Sequence, residues 1–134
     1  MSGTCDTSVL VAALVSWHPQ RAEARQVVKS RADSVPAHAL IETFSVLTRL
    51  PAPYRISPVD AADAVHRLRL RPLTLPGDRY RELVISLAAA GVRGGAVYDG
   101  VIAATAAHHD TTLFTLDRRA RSTYDALGAC YEMI

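Results

Sequence analysis

The sequence predicts an α/β fold, three layers (α/β/α) built around a central, mostly parallel sheet. Three observations predict it. Short strand-like runs at residues 3–6, 33–36, 73–75, 111–116 and 129–134 alternate with longer helical patterns. The segments between them are too long for hairpins and carry helices, so the strands are expected to pair in parallel through crossovers. No internal repeat, low-complexity stretch or linker divides the chain, and 134 residues suffice for one core without staples. Residues 1–134 are therefore expected to form a single domain.

Each element follows from local chemistry. Residues 3–6 form the first strand, and Thr7 or Ser8 can cap a helix through Val15 that Trp17-His18-Pro19 breaks. A second helix spans 19–29, with Ala22, Val27 and Val28 apolar among Arg21, Glu23, Arg25 and Gln26. Residues 33–36 hold a second short strand or a turn. Residues 37–50 form a helix that Pro51 and Pro53 cannot continue. Ser57-Pro58-Val59-Asp60 is a helix start, with a Ser cap, a Pro in the first turn and an acid beside it. That helix stops near Arg71-Pro72, and residues 73–75 read as the third strand. Residues 78–90 form a helix closed by Gly91. After the Gly94-Gly95 loop, an Ala-rich helix spans 97–109. Residues 111–116 make the clearest strand, 118–127 a last helix ended by Gly128, and 129–134 the closing strand.

Composition narrows the function classes. Hydrophobic residues make up 49% and charged residues 21%, the balance of a globular protein and not of a disordered one. The net charge of +2 does not announce a nucleic-acid binder, but Lys29 is the sole lysine and the other basic residues are arginines. They cluster at Arg67, Arg69 and Arg71, at Arg79 and Arg81, and at Arg118, Arg119 and Arg121. Guanidinium groups grip phosphate bidentately, so such clusters suit a nucleic-acid track as well as a solvated helix face. Cys5 and Cys130 show no metal-ligand spacing and are expected to be buried free thiols. No apolar run approaches the ~18 residues of a membrane span, and Asp6 falls where a leader peptide would need apolar residues. A cytoplasmic protein without membrane contact is expected.

The chemistry is carried by acids in apolar settings. Asp6 precedes Val9-Leu10-Val11, Glu42 interrupts Leu40-Ile41 and Phe44, Asp99 leads into Val101-Ile102, and Asp117 ends Leu113-Phe114-Thr115-Leu116. A carboxylate in such a place is costly unless a partner or a cation offsets it. Asp6 and Asp117 fall at predicted strand ends, where sites gather in open parallel sheets. Simpler uses exist for each: a helix cap for Asp6, an ion pair with Arg49 for Glu42, first-turn dipole residues for Asp99 and Asp117. Asp60, Asp63, Asp78, Asp125 and Glu132 are expected at the surface. His108 and His109 sit where imidazoles favour a helix C-terminus, and His18 and His38 could border a site. Trp17 and Tyr54 could stack on an unpaired base, although core packing or a dimer contact is the plainer use.

Four segments in this order resemble the PIN-domain ribonucleases, in particular VapC-type toxins of VapBC toxin–antitoxin pairs. Cys5-Asp6-Thr7-Ser8-Val9-Leu10 resembles the family's opening motif, and Ala39-Leu40-Ile41-Glu42-Thr43-Phe44 its helix with a single Glu. Tyr98-Asp99-Gly100-Val101-Ile102-Ala103-Ala104 resembles the third acidic motif, and Leu113-Phe114-Thr115-Leu116-Asp117-Arg118 the fourth, a strand followed by Thr-x-Asp. The chain departs at Cys5, where a branched aliphatic is more usual, and at Gly100, where Ala is.

The resemblance implies a Mg²⁺- or Mn²⁺-dependent endoribonuclease with Asp6, Glu42, Asp99 and Asp117 as catalytic acids. Asp6, Asp99 and Asp117 would be direct or water-bridged metal ligands, and Glu42 would hold a second ion or orient the attacking water. Hard cations do prefer oxygen ligands, and crowded carboxylates should raise at least one pKa. Ser8 and Thr115 are candidates for fixing the carboxylates, with a helix cap and an ordinary strand Thr as the plainer readings. Arg118 and Arg119 are candidate RNA contacts. The implied partners are an RNA substrate, a cognate VapB-type antitoxin meeting residues 9–31 and 37–50 near Trp17, and a second copy in a homodimer. A catalytically silent PIN-like RNA- or protein-binding module is the alternative. Phosphatase and receiver readings fail, since Ser8 stands where the first needs an Asp and no Lys follows Lys29.

Overall fold

The computed structural model describes residues 2–134; Met1, the first residue of the expected domain, lies outside the described residues. Five parallel strands, β1 (Gly3–Cys5), β2 (Ser34–Pro36), β3 (Arg71–Leu73), β4 (Thr112–Thr115) and β5 (Tyr131–Met133), make one sheet in the order β3-β2-β1-β4-β5. Every residue of β1 and β2 is buried, the pattern of central strands covered on both faces. The connecting helices are α1 (Thr7–Leu14), α2 (Arg21–Ser30), α3 (Ala37–Thr48), α4 (Pro58–His66), α5 (Tyr80–Ala89), α6 (Ala96–His108) and α7 (Arg121–Ala126). The expected three-layer α/β/α architecture is what the chain forms.

The main core joins Cys5, Val35, Leu113 and Phe114 of the strands to Val9 and Leu10 of α1, Ala24 and Val27 of α2, Ile102, Ala103 and Ala106 of α6, and Tyr124 of α7. A second cluster holds Val15, Leu47 and Ala61, and a third Leu75, Leu83 and Leu87. Gly3 stands at the crowded centre, where a Cβ would lie 2.5 Å from both the Arg31 carbonyl oxygen and the Phe114 ring. Only glycine fits there. Gly100 is milder, because a Cβ would meet only the tip of Leu87, at 2.5 Å. A Gly100→Ala variant gains helix propensity of ~1 kcal/mol and spends a similar amount turning Leu87. Its denaturation midpoint should therefore fall within about 1 kcal/mol of wild type.

Several expectations need correction. The third strand is Arg71–Leu73 and not 73–75. β3 is an edge strand, where the missing N–H of Pro72 forfeits no ladder bond; Leu75 packs instead with Leu83 and Leu87. Helix α1 is capped by Asp6, whose side chain accepts from the Val9 N–H, and not by Thr7 or Ser8. Ser57 caps α4 as expected, but α4 ends at His66, well before Pro72. Single 3₁₀ turns, Gly77–Arg79 and Arg118–Ala120, open the segments that continue as α5 and α7. Cys5 is buried, but Cys130 is exposed just before the outer strand β5. Trp17 and Tyr54 are not core: each is 50% exposed, and their rings meet at 4.8 Å between centroids. Among the described residues, no helix is long and apolar enough to cross a membrane.

Candidate active site

The site lies at the carboxyl ends of β1 and β4, paired with Cys5 opposite Phe114. One residue beyond β1, Asp6 donates its backbone N–H to the Phe114 carbonyl at 3.1 Å. Its carboxylate is 2% exposed. Such burial is tolerable because the oxygens are satisfied. Oδ1 accepts from the Ser8 hydroxyl and from the Val9 N–H at 3.3 Å, and Oδ2 accepts from the Tyr124 hydroxyl at 2.7 Å. Burial pushes the Asp6 carboxyl up, and these hydrogen bonds oppose the push.

Ser8 and Thr115 tie that carboxylate to the next strand. The Ser8 oxygen accepts the Leu116 N–H at 2.8 Å and lies 3.5 Å from Thr115 Oγ1, which in turn accepts the Asp117 N–H at 3.0 Å. Asp117 caps the following turn, its Oδ1 accepting the Arg119 N–H at 2.9 Å. The Arg119 guanidinium reaches back to 3.7 Å from the same oxygen with a side chain 96% exposed. Arg118 is exposed as well.

Glu42 and Asp99 arrive from flanking helices. Glu42 on α3 does not pair with Arg49; its Oε1 accepts from the Thr7 hydroxyl at 3.3 Å and lies 3.6 Å from His38 Nε2, one turn back. Asp99 occupies the first turn of α6 and makes no ion pair among the described residues. Its pKa is pushed up to about 6, by desolvation first and then by the charges of Asp117, Glu42 and Asp6, with Arg119 opposing. The charges of the other three acids thus all act at Asp99. Asp60, Asp63, Asp78, Asp125 and Glu132 are exposed.

The donors are all hard oxygens, and the exposed Arg119 guanidinium alone does not balance four carboxylates. That set suits a hard divalent cation. Among the described residues, no three His, Cys, Asp or Glu side chains stand close enough to form a ligand set by themselves.

Sequence reasoning missed three neighbours of the acids, Tyr124, Thr7 and Tyr98, whereas His38 does border them as expected. Tyr124 is the only aromatic residue of the last helix, and a buried tyrosine needs a partner for its hydroxyl, but nothing in the sequence names Asp6 as that partner. Thr7 and His38 reach Glu42, and the latter's i,i+4 spacing was the available signal. Tyr98, beside Asp99, stacks on His38 with rings 5.4 Å apart and 10° from parallel. The other histidines stand elsewhere: His109 Nε2 bonds the Thr74 carbonyl at 2.8 Å, and His18 Nδ1 accepts the Gln20 N–H.

Residues 4–126 match the family described as PIN domain. The chain belongs to the PIN-domain family. Over 134 residues this PIN domain is 42% identical to Ribonuclease VapC40 of Mycobacterium tuberculosis, covering 96% of each protein. It is 41% identical to Ribonuclease VapC27 of the same species over 123 residues, which is 92% of this chain and 90% of that one. Among solved structures it resembles VapBC2 from Rickettsia felis bound to a promoter DNA fragment. There the TM-score is 0.68 at 19% identity, over 100% of this chain and 99% of that one, a likeness of fold.

Proposed function

We propose that this PIN domain is the endoribonuclease toxin of a type II toxin–antitoxin pair, a VapC-type enzyme spanning residues 1–134. The observation that carries the reading is the convergence of Asp6, Glu42, Asp99 and Asp117 in one field at the ends of β1 and β4. The names of the two mycobacterial relatives, both ribonucleases, support the same reaction. Asp6, Asp99 and Asp117 would hold Mg²⁺ or Mn²⁺ through direct or water-bridged contacts. Such an ion, when bound, supplies charge neutralisation at a phosphodiester and a water more easily deprotonated. Asp6 is oriented by hydrogen bonds from Ser8, Val9 and Tyr124. Glu42, bonded by the Thr7 hydroxyl, would hold a second ion or orient the attacking water. Arg118 and Arg119, exposed beside Asp117, take neighbouring phosphates.

The partners on this reading are RNA, a VapB-type antitoxin and a second copy of the chain, in the cytoplasm. The antitoxin would meet residues 9–31 and 37–50, where Trp17 stands half exposed. Purified protein incubated with total RNA should cleave it with Mg²⁺ or Mn²⁺ and not in chelator, and an Asp117→Asn variant with unchanged circular dichroism should not cleave. Absence of both cleavage and metal binding in the wild type would overturn the enzyme and favour a silent binding module. An Arg119→Ala variant should lose one phosphate contact, lowering the slope of log affinity against log salt by about 1. An unchanged slope removes Arg119 from the RNA track.

A further inference from the structure

The nuclease reading leaves one feature of the site without a use. Tyr98 is 52% exposed, although it is the chain neighbour of Asp99 and stands in the first turn of α6. Its ring lies nearly parallel to that of His38 at 5.4 Å. His38 stands beside Glu42 on α3, its Nε2 3.6 Å from the carboxylate. The tyrosine is therefore backed by a second aromatic plane that stands beside an acid of the site.

A half-exposed aromatic held in place can accept a flat partner with little loss of side-chain freedom, and unpaired nucleobases are flat partners of tolerant identity. The charges nearby favour a nucleic acid over a protein. Exposed Arg118 and Arg119 follow Asp117, and the Arg119 guanidinium lies 3.7 Å from Asp117 and acts at Asp99, so a cation for phosphate and a ring for a base border the same carboxylates. We propose that Tyr98, backed by His38, is a stacking platform for an unpaired base beside the scissile phosphodiester. The inference rests on the ribonuclease reading and adds to it a specificity-determining residue that selects single-stranded RNA.

The test uses a pool of single-stranded oligoribonucleotides carrying 2-aminopurine, whose fluorescence falls when it stacks, with the full chain in chelator so that no RNA is cut. Wild type should quench the probe. Tyr98→Ala should bind roughly tenfold more weakly and lose most of the quenching, while Tyr98→Trp restores both. In cleavage assays Tyr98→Ala should raise KM more than it lowers kcat, and a duplex substrate should show no difference between variants. Equal quenching and affinity in wild type and Tyr98→Ala, by a wild type that cleaves RNA, would overturn the platform alone. Weakened binding to the antitoxin with RNA stacking unchanged would make the ring a protein contact, and would overturn it too. A wild type that neither binds the pool nor cleaves RNA would overturn the platform together with the nuclease reading.

Discussion

An Asp99→Asn variant is expected to melt about 6–10 °C above the wild type in chelator while losing at least about 100-fold in RNA cleavage. The two effects share one cause. Asp99 titrates near 6 because burial and three neighbouring carboxylates disfavour its charge. Its folded-state pKa lies above the unfolded value of 3.8, so between these values the folded protein holds more protons than the unfolded chain. Stability therefore falls as pH rises from about 4 to 6, by about 2 kcal/mol once the residue's partial exposure is allowed for. Asparagine removes the charge and that loss. At about 1 kcal/mol per 3–5 °C for a domain of this size, the neutral variant should show a flat profile across the window and a higher midpoint. Cleavage fails because the removed charge is what an ion would bind, and several kcal/mol of transition-state stabilisation amount to two or more decades in rate. Calorimetry from pH 4 to 7 and a cleavage assay at pH 7.5 check both arms. A wild type whose midpoint rises through that window would sink the electrostatic account of Asp99.

Removing one oxygen from Tyr124 should cost about 2 kcal/mol. Its hydroxyl is the only side-chain donor to Asp6 Oδ2 among the described residues, and Asp6 has almost no access to water. Hydrogen bonds to charged groups are worth about 1.5–3 kcal/mol, and the ring of a Tyr124→Phe variant still fills its place against Tyr131. The loss is therefore electrostatic and not a cavity. The sign with pH follows. With one stabilising hydrogen bond gone, burial pushes the Asp6 carboxyl further up, so the acid limb of the cleavage profile should move to higher pH. Urea unfolding and a pH–rate profile test this together. An unchanged midpoint and limb would mean that Tyr124 does not hold the carboxylate. Ser8→Ala removes a donor to Oδ1 and an acceptor for the Leu116 N–H, and should cost at least as much.

The elements that decide the fold could be read because their signals are local. Strand and helix alternation, the Ser57-Pro58 start and the glycine stop after α5 need no knowledge of what packs where. The acids could be read for the opposite reason, since each violates its surroundings. What escaped depends on partners distant in the chain. Pro72 looked like a stop, and only its place at the sheet edge makes it part of β3. Thr7 looked like a cap for α1 and instead reaches Glu42 across 35 positions. Tyr124 lies 118 positions from Asp6. Trp17 and Tyr54 look like core residues by type, and their mutual contact on the surface could not be read from either segment alone.

The strand order also dictates when the protein can become active. The first strand to be synthesised is the middle one, with Gly3 opposite Thr112 and Cys5 opposite Phe114. Until the segment through Asp117 has left the ribosome, β1 lacks a neighbour on one side, and Asp6 lacks Tyr124 and the link through Ser8 to β4. Long-range parallel pairings form slowly because chain closure precedes any gain. Every nascent chain shorter than that is thus an incomplete acid cluster, and activity arrives only with the last part of translation. A PIN domain wired in this way completes its acid cluster only when the chain is nearly done.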